Sequence, residues 1–340
     1  MRRYGVMTLA AAMVLAGCNG GGGSASTETA DKGTTPATKG AKLQIAVIPK
    51  GATHEYWKSL KEGAMRAHDE LGGIDILWKS SQKEDDREGQ IKVVEDFITK
   101  GVDGIVLAPL DATALKGPVV EAQNAKIPVV IIDSAVNGVD TVSFVATDNE
   151  KGGHIAGEEM VKLLKGKGQI VVLRYEEGSA STMSREKGFL DEIAKNPGIK
   201  VVSSNQYGGA TVETAQKAGE NLLSPLKKAD GSLSIDGIYT PNESTTFGML
   251  RVLQDNGQAG KVKFVGFDAS PKLIDGLKAK QIDALVVQNP RNMGYLAVKA
   301  IVDKIHGKPV EKRIDTGATL VTGDNLTDPK VAELIAPPKE

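Results

Sequence analysis

Short apolar runs alternate with amphipathic segments through most of the chain. The runs have the length and β-branched content of buried strands and occupy residues 43–48, 74–78, 102–107, 127–132, 142–146, 169–173, 199–203, 235–239, 262–267 and 283–288. Apolar positions that step by three and four predict helices over residues 55–71, 87–100, 112–125, 150–165, 182–195, 211–223, 244–256, 270–279 and 290–306. This alternation predicts βαβ units, with parallel sheets and right-handed crossovers.

The predicted strands are too many for one small sheet. A chain of 340 residues is also long enough to build two hydrophobic cores. We therefore predict an α/β fold with two doubly wound parallel-sheet lobes. The connection at 133–141 is the exception to the pattern, because it has no room for a helix.

The first residues have a pattern typical of an export signal. Two arginines precede an apolar run at 6–16 that is too short to span a bilayer, which predicts a signal peptide over residues 1–17. The LAGC sequence at 15–18 resembles the lipobox of bacterial lipoproteins, in which the cysteine is acylated and becomes the first residue. Cys18 is the only cysteine of the chain, so it has no intramolecular disulfide partner. We expect an exported protein of the cell envelope. A lipid on Cys18 would anchor it facing the periplasm or at the outer face of the cytoplasmic membrane.

Residues 18–41 are rich in Gly, Ser and Thr and have no apolar period, which predicts a flexible tether. The formal charge of −1 argues against nucleic-acid binding, which needs a clustered basic surface. The C-x-x-C, H-E-x-x-H and Walker A motifs are absent from the sequence, and we predict no cofactor, no metal site and no enzyme activity. The EDDR run at 84–87 is interpreted as a solvated helix start. The histidines His68, His154 and His306 are interpreted as exposed or packing residues.

Hydrogen-bonding side chains follow several predicted strands at the point where each strand leaves its sheet. They are Lys50, Asp133, Asn242, Asp268 and Gln288. In open α/β sheets the loops after the carboxyl ends of the strands line the ligand crevice. Carboxylates accept hydrogen bonds, Lys donates them, and Asn and Gln do both, which suits a polyhydroxylated neutral ligand. For any one of these residues, such as Asp133, a helix N-cap is the alternative role.

The first such loop also carries His54, Tyr56 and Trp57. Two aromatic rings beside charged groups favour a face on which a sugar ring stacks. The alternative is that Tyr56 and Trp57 only begin the buried face of the following helix.

Several segments resemble the ribose-binding-like family, the periplasmic solute-binding proteins of bacterial sugar ABC transporters. They are IAVIPKGATHEYWKSLKEGA, VDGIVLAPLD, IPVVIIDS, VATDNEKGG, SREKGF, TPNESTTFGMLRVL, KFVGFDAS and VVQNPRNMGYLAVKA. The resemblance covers about residues 43–310 and keeps the family's order of motifs. It implies a fold of two lobes joined by a three-stranded hinge. The implied bounds are 42–147 plus 289–318 for the N-terminal lobe and 148–288 plus 319–340 for the C-terminal lobe.

The resemblance also implies a set of ligand-binding residues. By position these are Lys50, His54, Tyr56, Trp57, Asp133, Ser134, Met183, Arg185, Asn242, Phe267, Asp268 and Gln288. Two positions depart from the ribose-binding pattern: Ser134 replaces an arginine, and Met183 aligns with another arginine while Arg185 follows two residues later. Tyr207 is a candidate for the aromatic residue that the second lobe supplies.

The function implied by the resemblance is binding of a pentose or hexose monosaccharide by hinge closure. The partner that receives the sugar would be an ABC permease, and we expect a monomer. A sensing protein that binds its ligand in the same way is the alternative, with inositol or a signalling furanose as further ligands. A glycosidase would need Asp133 and Asp268 to act as paired carboxylates. A repressor of this fold would carry a DNA-binding headpiece where this chain has its lipobox and tether.

Overall fold

The computed structural model describes residues 42–81 and 83–338. The predicted signal peptide, the tether and Cys18 lie outside the described residues. Within the described part of the chain, we find no helix that has both the length and the apolar character needed to cross a membrane.

The structure contains alternating strands and helices in the order that the apolar pattern predicts. The strands are β1 (Leu43–Ile48), β2 (Ile74–Trp78), β3 (Gly104–Leu107), β4 (Val129–Ile132), β5 (Ser143–Ala146), β6 (Gly168–Arg174), β7 (Ile199–Tyr207), β8 (Gly237–Tyr239), β9 (Lys263–Phe267), β10 (Ala284–Gln288), β11 (Arg313–Asp315) and β12 (Ala318–Thr322). The helices are α1 (Glu55–Leu71), α2 (Arg87–Lys100), α3 (Lys116–Asn124), α4 (Asn149–Leu164), α5 (Ala180–Ala194), α6 (Val212–Leu223), α7 (Glu243–Asp255), α8 (Pro271–Lys278), α9 (Pro290–Ile305) and α10 (Pro329–Ile335). The sequence pattern did not predict β11, β12 or α10, because these short elements bury few of their side chains.

The strands form two six-stranded sheets. The first has the order β2-β1-β3-β4-β5-β11 and the second the order β7-β6-β8-β9-β10-β12. All neighbouring strands are parallel except β12, which pairs antiparallel with β10. The chain passes between the sheets after β5, after β10 and after β11. The predicted α/β class with two doubly wound sheets is confirmed, whereas the exact lobe boundaries stay a prediction.

Each sheet is buried on both faces, as a parallel sheet flanked by helices must be. In the first sheet, Ile45 and Val47 pack in one core cluster with α1 and α9. Ala46 and Ile48, on the opposite face, pack with α2 and α3. The second sheet repeats this arrangement with α4 and α5 on one face and α6, α7 and α8 on the other.

Helices α1 and α9 pack with their backbones in contact. A Cβ atom on Gly63 would lie 1.8 Å from the carbonyl oxygen of Arg291, so only glycine fits at this position. The close approach fixes α1 against α9, and both helices pack on the first sheet.

The C-terminal helix α10 lies between elements of both sheets. Val331 is buried in a core cluster of the second sheet. Arg291, which extends from α9, donates hydrogen bonds to the carbonyl oxygens of Leu334 at 3.4 Å and Ala336 at 2.6 Å. Helix α9 packs on the first sheet, whereas α10 packs on the second. The hydrogen bonds of Arg291 therefore connect the half of the molecule built on the first sheet to the half built on the second.

Candidate functional site

Loops from both sheets meet around one small cavity of about 20 Å³. It is lined by Lys50, His54, Tyr56, Trp57, Glu84, Asp133, Tyr175, Ser181, Thr182, Arg185, Asn242, Asp268 and Gln288. Most of these residues follow the carboxyl end of a strand, where open parallel sheets place their ligand crevices. Since ligand pockets usually measure about 300–1,000 Å³, the two sets of loops are closed directly on each other in this structure.

Asp133, which directly follows β4, contacts cavity residues from both sheets. Its carboxylate lies 2.9 Å from Lys50 Nζ and accepts a hydrogen bond from the Tyr56 hydroxyl at 3.1 Å. Arg185 Nη2, from the second sheet, lies 3.9 Å from the same carboxylate. Asp133 has a φ of 59° and Asp268 a φ of 68°. Asp adopts this left-handed conformation more readily than most side chains.

Serine residues of the second half connect to Lys50 and Ser134 of the first. Lys50 Nζ donates to Ser179 Oγ at 3.3 Å and to Ser181 Oγ at 3.1 Å. Ser181 N donates to Ser134 Oγ at 2.9 Å. These bonds join the loops of the two sheets directly.

Glu84 is the acceptor for three donors of the cavity wall. His54 Nδ1 lies 2.7 Å from Glu84 Oε1, the Tyr175 hydroxyl donates to Oε2 at 2.7 Å, and Trp57 Nε1 also donates to Oε1. The interpretation of residues 84–87 as a solvated helix start is therefore wrong for Glu84, which is only 7% exposed. It holds for Asp86, the N-cap residue of α2, whose carboxylate accepts from Gly89 N at 2.9 Å.

The Glu84 and His54 side chains form a buried ion pair. Burial by itself would lower the pKa of His54, but the charge and the hydrogen bond of Glu84 outweigh it and raise this pKa to about 9. Burial by itself would raise the pKa of Glu84, but the His54 imidazolium and the Trp57 N–H group lower it to about 2. Both groups are therefore charged at neutral pH.

Arg185 presents an unsatisfied donor at the cavity. Its Nε donates to Asn149 Oδ1 at 2.8 Å and its Nη1 to the Pro241 carbonyl at 3.0 Å. The guanidinium lies 4.2 Å from the centre of the Phe267 ring. Among the described residues, buried Arg185 Nη2 has no hydrogen-bond partner, and neither has Gln288 Oε1. Buried polar atoms nearly always have partners, so these two atoms can bind a group that both accepts and donates.

Asp268 and Gln288 form a second polar group at the ends of β9 and β10. Gln288 Nε2 donates to Asp268 Oδ1 at 2.8 Å, and Glu243 N donates to Oδ2 at 3.1 Å. Burial raises the pKa of Asp268 above its usual value. Asn242 caps helix α7, since its Oδ1 accepts from Thr245 N at 3.3 Å.

The structure brings most of the predicted site residues to the cavity. Those that line it are Lys50, His54, Tyr56, Trp57, Asp133, Arg185, Asn242, Asp268 and Gln288. Ser134 lies beside it and bonds to Ser181. Phe267 is fully buried beneath Arg185 and belongs to the core. Tyr56 and Trp57 pack edge to face at 4.7 Å in a core cluster, as the buried-face interpretation states. Both rings also line the cavity, and their stacking on a sugar stays a prediction.

Two further predicted positions, Met183 and Tyr207, lie on the surface and not at the cavity. Met183 is 41% exposed, because residues two apart on a helix point in nearly opposite directions and Arg185 takes the inward position. Its inclusion among the ligand-binding residues is corrected accordingly. Tyr207 is 39% exposed and lies against Arg174 at the sheet edge, so it is not the aromatic residue of the second half. The aromatic residue of the second sheet that lines the cavity is Tyr175.

Four residues of the cavity wall were not predicted from the sequence: Glu84, Tyr175, Ser181 and Thr182. Tyr175 directly follows β6, so the criterion of polar residues after strand ends would have found it. Ser181 and Thr182 begin α5, where the pattern indicated only a helix start. Glu84 gave no separate signal, because three charged residues follow it in the sequence.

Comparisons with known proteins agree on one class. A family model described as a periplasmic binding protein domain matches residues 45–309. The chain is 27% identical to the ribose import binding protein of Salmonella typhimurium over 288 residues, 85% of this chain and 93% of the relative.

Two solved structures show the same likeness in three dimensions. The periplasmic component of an ABC-type sugar transport system from Hahella chejuensis is 35% identical with a TM-score of 0.77, covering 82% of this chain and 99% of its own. A carbohydrate transporter solute binding protein from Agrobacterium radiobacter, in complex with D-arabinose, is 33% identical with a TM-score of 0.81. The match covers 87% of this chain and 99% of that protein.

Proposed function

Because the chain belongs to the periplasmic binding protein domain family, we propose that it binds a pentose or hexose monosaccharide between its two sheets and delivers it to an ABC permease. One observation carries the proposal: charged and amide side chains from the strand ends of both sheets surround one cavity. The ribose and D-arabinose named for two relatives support the choice of a monosaccharide. These relatives are named as binding and transport proteins, which supports a function without catalysis.

The charges around the cavity favour a neutral ligand. The cations Lys50 and His54 are each paired with a carboxylate, those of Asp133 and Glu84 respectively. Arg185 is the third cation of the lining and Asp268 the third carboxylate, so the formal charges around the cavity balance. Sugar hydroxyls can accept from Arg185 Nη2 and donate to Gln288 Oε1, two buried atoms without a hydrogen-bond partner in the described part of the chain.

The ligand-binding residues that we propose are the nine predicted ones that line the cavity, together with Tyr175, Ser181 and Glu84. The aromatic side chains of Tyr56 and Trp57 would contact the C–H face of the sugar, and the polar groups would contact its hydroxyls. Hydrogen bonds to charged groups contribute about 1.5–3 kcal/mol each. A few of them offset the cost of ordering the ligand and the loops.

Sugar uptake in this proposal needs a cleft that opens and closes. A cavity of about 20 Å³ has room for about one water molecule, so the cross-cleft bonds of Lys50, Ser181 and Tyr175 must part before a sugar enters. A sugar that contacts both halves then favours the closed form, because only that form offers it all its partners. The predicted lobe boundaries, at 147/148, 288/289 and 318/319, belong to this proposal.

The proposal places the protein outside the cytoplasm. The family is periplasmic, and the signal pattern with its lipobox supports export and anchoring through an acylated Cys18. Mass spectrometry of the protein from membranes tests the anchor: a diacylated N-terminal Cys18 is the expected result, and an unmodified cysteine contradicts it.

The test of binding is a screen of the purified protein against monosaccharides by thermal shift and calorimetry. A ligand that binds only the folded state raises the melting temperature. We expect one or a few pentoses or hexoses to raise it, and amino acids and carboxylic acids to leave it unchanged. A response to charged solutes with none to sugars would contradict the proposal.

A further inference from the structure

Helix α1 lacks a cap of its own. The N-cap residue His54 makes no side-chain hydrogen bond to the first turn. The first N–H groups of any α-helix have no acceptor within the helix and need one from outside. In α1 these groups start the segment that carries Tyr56 and Trp57.

Glu243 supplies the missing acceptors from the other side of the cleft. Glu55 N donates to Glu243 Oε1 at 3.2 Å, and Tyr56 N donates to Glu243 Oε2 at 3.1 Å. Glu243 is the first residue of α7, which follows β8 of the second sheet, whereas α1 follows β1 of the first. One carboxylate therefore caps the first turn of a helix in the opposite half of the molecule.

The surroundings of Glu243 make this contact specific. The side chain is buried, and its own backbone N–H group donates to Asp268 Oδ2 at 3.1 Å. A carboxylate at a helix N-terminus is stabilised by the helix dipole, and its hydrogen bonds are stronger than those of neutral acceptors. Separation of the sheets removes both bonds at once.

We propose that Glu243 is a positioning residue that caps α1 only when the cleft closes, and that it thereby sets the rate at which a bound sugar leaves. The inference rests on the proposed function, because the closed form is the one that holds the sugar. Association precedes closure and depends little on this cap. Dissociation requires the two bonds to break, so the effect falls on the release rate.

The charges around Glu243 give the cap a pH dependence. His54 from the loop before α1 and Asp268 after β9 face it, and its bonded partners are the backbone groups of Glu55 and Tyr56. Burial is the largest effect; it outweighs the His54 charge and raises the pKa of Glu243 to about 7. An open cleft returns water to the carboxylate and restores a pKa near 4.5. Closing therefore takes up a proton, and the contribution of Glu243 to closure decreases as the pH rises from about 5 through 7.

The test compares Glu243→Ala and Glu243→Gln with the wild type, and uses Glu213→Gln as the matched control. Glu213 is an exposed acid in the first turn of α6, on the same sheet. Release of the sugar found in the screen is followed by stopped-flow tryptophan fluorescence. Exchange of the Glu55 and Tyr56 amide protons is followed by NMR.

For Glu243→Ala we expect release to be about tenfold faster, since the two backbone hydrogen bonds of the cap are lost, with association changed about twofold at most. We also expect faster exchange of the Glu55 and Tyr56 amides, with the amides in the middle of α1 unchanged. Glu243→Gln keeps one acceptor oxygen and should show a smaller increase in release rate that no longer varies with pH between 5 and 8. Glu213→Gln should match the wild type.

Wild-type release and wild-type amide protection in Glu243→Ala would overturn the inference. If the wild type binds no sugar, the proposed function fails, but the amide exchange of the sugar-free protein still tests the cap. If Glu243→Ala does not fold, Glu243→Gln decides between the outcomes through its pH profile.

Discussion

Replacement of Glu84 by Gln tests the polar wall of the cavity most directly. The change keeps the shape of the side chain but removes the charge that His54, Trp57 and Tyr175 share as hydrogen-bond donors. The amide offers one acceptor oxygen, and its NH₂ group faces donors. The variant therefore leaves a buried imidazolium without its ion-pair partner, which is costly in a low-dielectric interior.

The size of the effect follows from the pKa of His54. A rise from 6.5 to about 9 corresponds to about 3 kcal/mol of interaction that favours the folded state. The lowered pKa of Glu84 reflects the same ion pair, so it adds no further stabilisation to this figure. Because the pKa of His54 is raised in the folded state, this stabilisation is fully present below pH 6.5 and is lost as the pH rises through 9.

Urea denaturation of the wild type and of Glu84→Gln at pH 6.5 and pH 9.5 measures this contribution. We expect the variant to lose about 3 kcal/mol of unfolding free energy at pH 6.5 and less at pH 9.5, where His54 of the wild type is mostly neutral. An NMR titration should show the pKa of His54 falling from about 9 towards 6.5. Asp85→Asn is the control, because Asp85 is an exposed acid next in sequence and should change stability by less than about 0.5 kcal/mol.

A variant as stable as the wild type at pH 6.5 would refute this reasoning. So would a His54 pKa that stays near 9 without Glu84. Either result would mean that the ion pair contributes little to the closed wall of the cavity.

Three further predictions concern the ligand, the pH and the C-terminal helix. Arg185→Lys should weaken sugar binding by about 1–3 kcal/mol, measured by calorimetry, while Met183→Ala should bind normally; equal losses in both would contradict the assignment of Arg185. Sugar affinity should fall as the pH rises from 5 to 8, because closing takes up a proton at Glu243, whose pKa is raised to about 7. Calorimetry in buffers of different ionisation enthalpy should detect that uptake, and proton release would be the opposite result. Arg291→Ala should speed hydrogen exchange in α10, since it removes both donors to the carbonyls at the end of that helix; unchanged exchange there would show that core packing alone holds α10.

The apolar pattern predicted the α/β class because each parallel strand is buried on both faces. Runs such as Ile45–Ile48 and Val129–Ile132 have few alternatives to a central strand, since no other element buries so many consecutive β-branched residues. The same reasoning located Asp133 and Asp268, because a polar residue directly after such a strand lies at the carboxyl edge of the sheet. The pattern did not predict β11, β12 or α10, whose side chains are mostly exposed or half-buried.

The sequence by itself thus determined the order of β1 to β10 and α1 to α9, and it located the polar residues that directly follow several of these strands. Only the tertiary structure decided which of two neighbouring side chains faces the cleft, as it did for Arg185 over Met183, and it alone showed that Glu84 and Glu243 are buried acceptors. The physical reason is that strand burial depends on consecutive residues, which the sequence displays. The environment of a charged side chain depends on donors that are distant in sequence: Tyr175 for Glu84, and the first turn of α1 for Glu243.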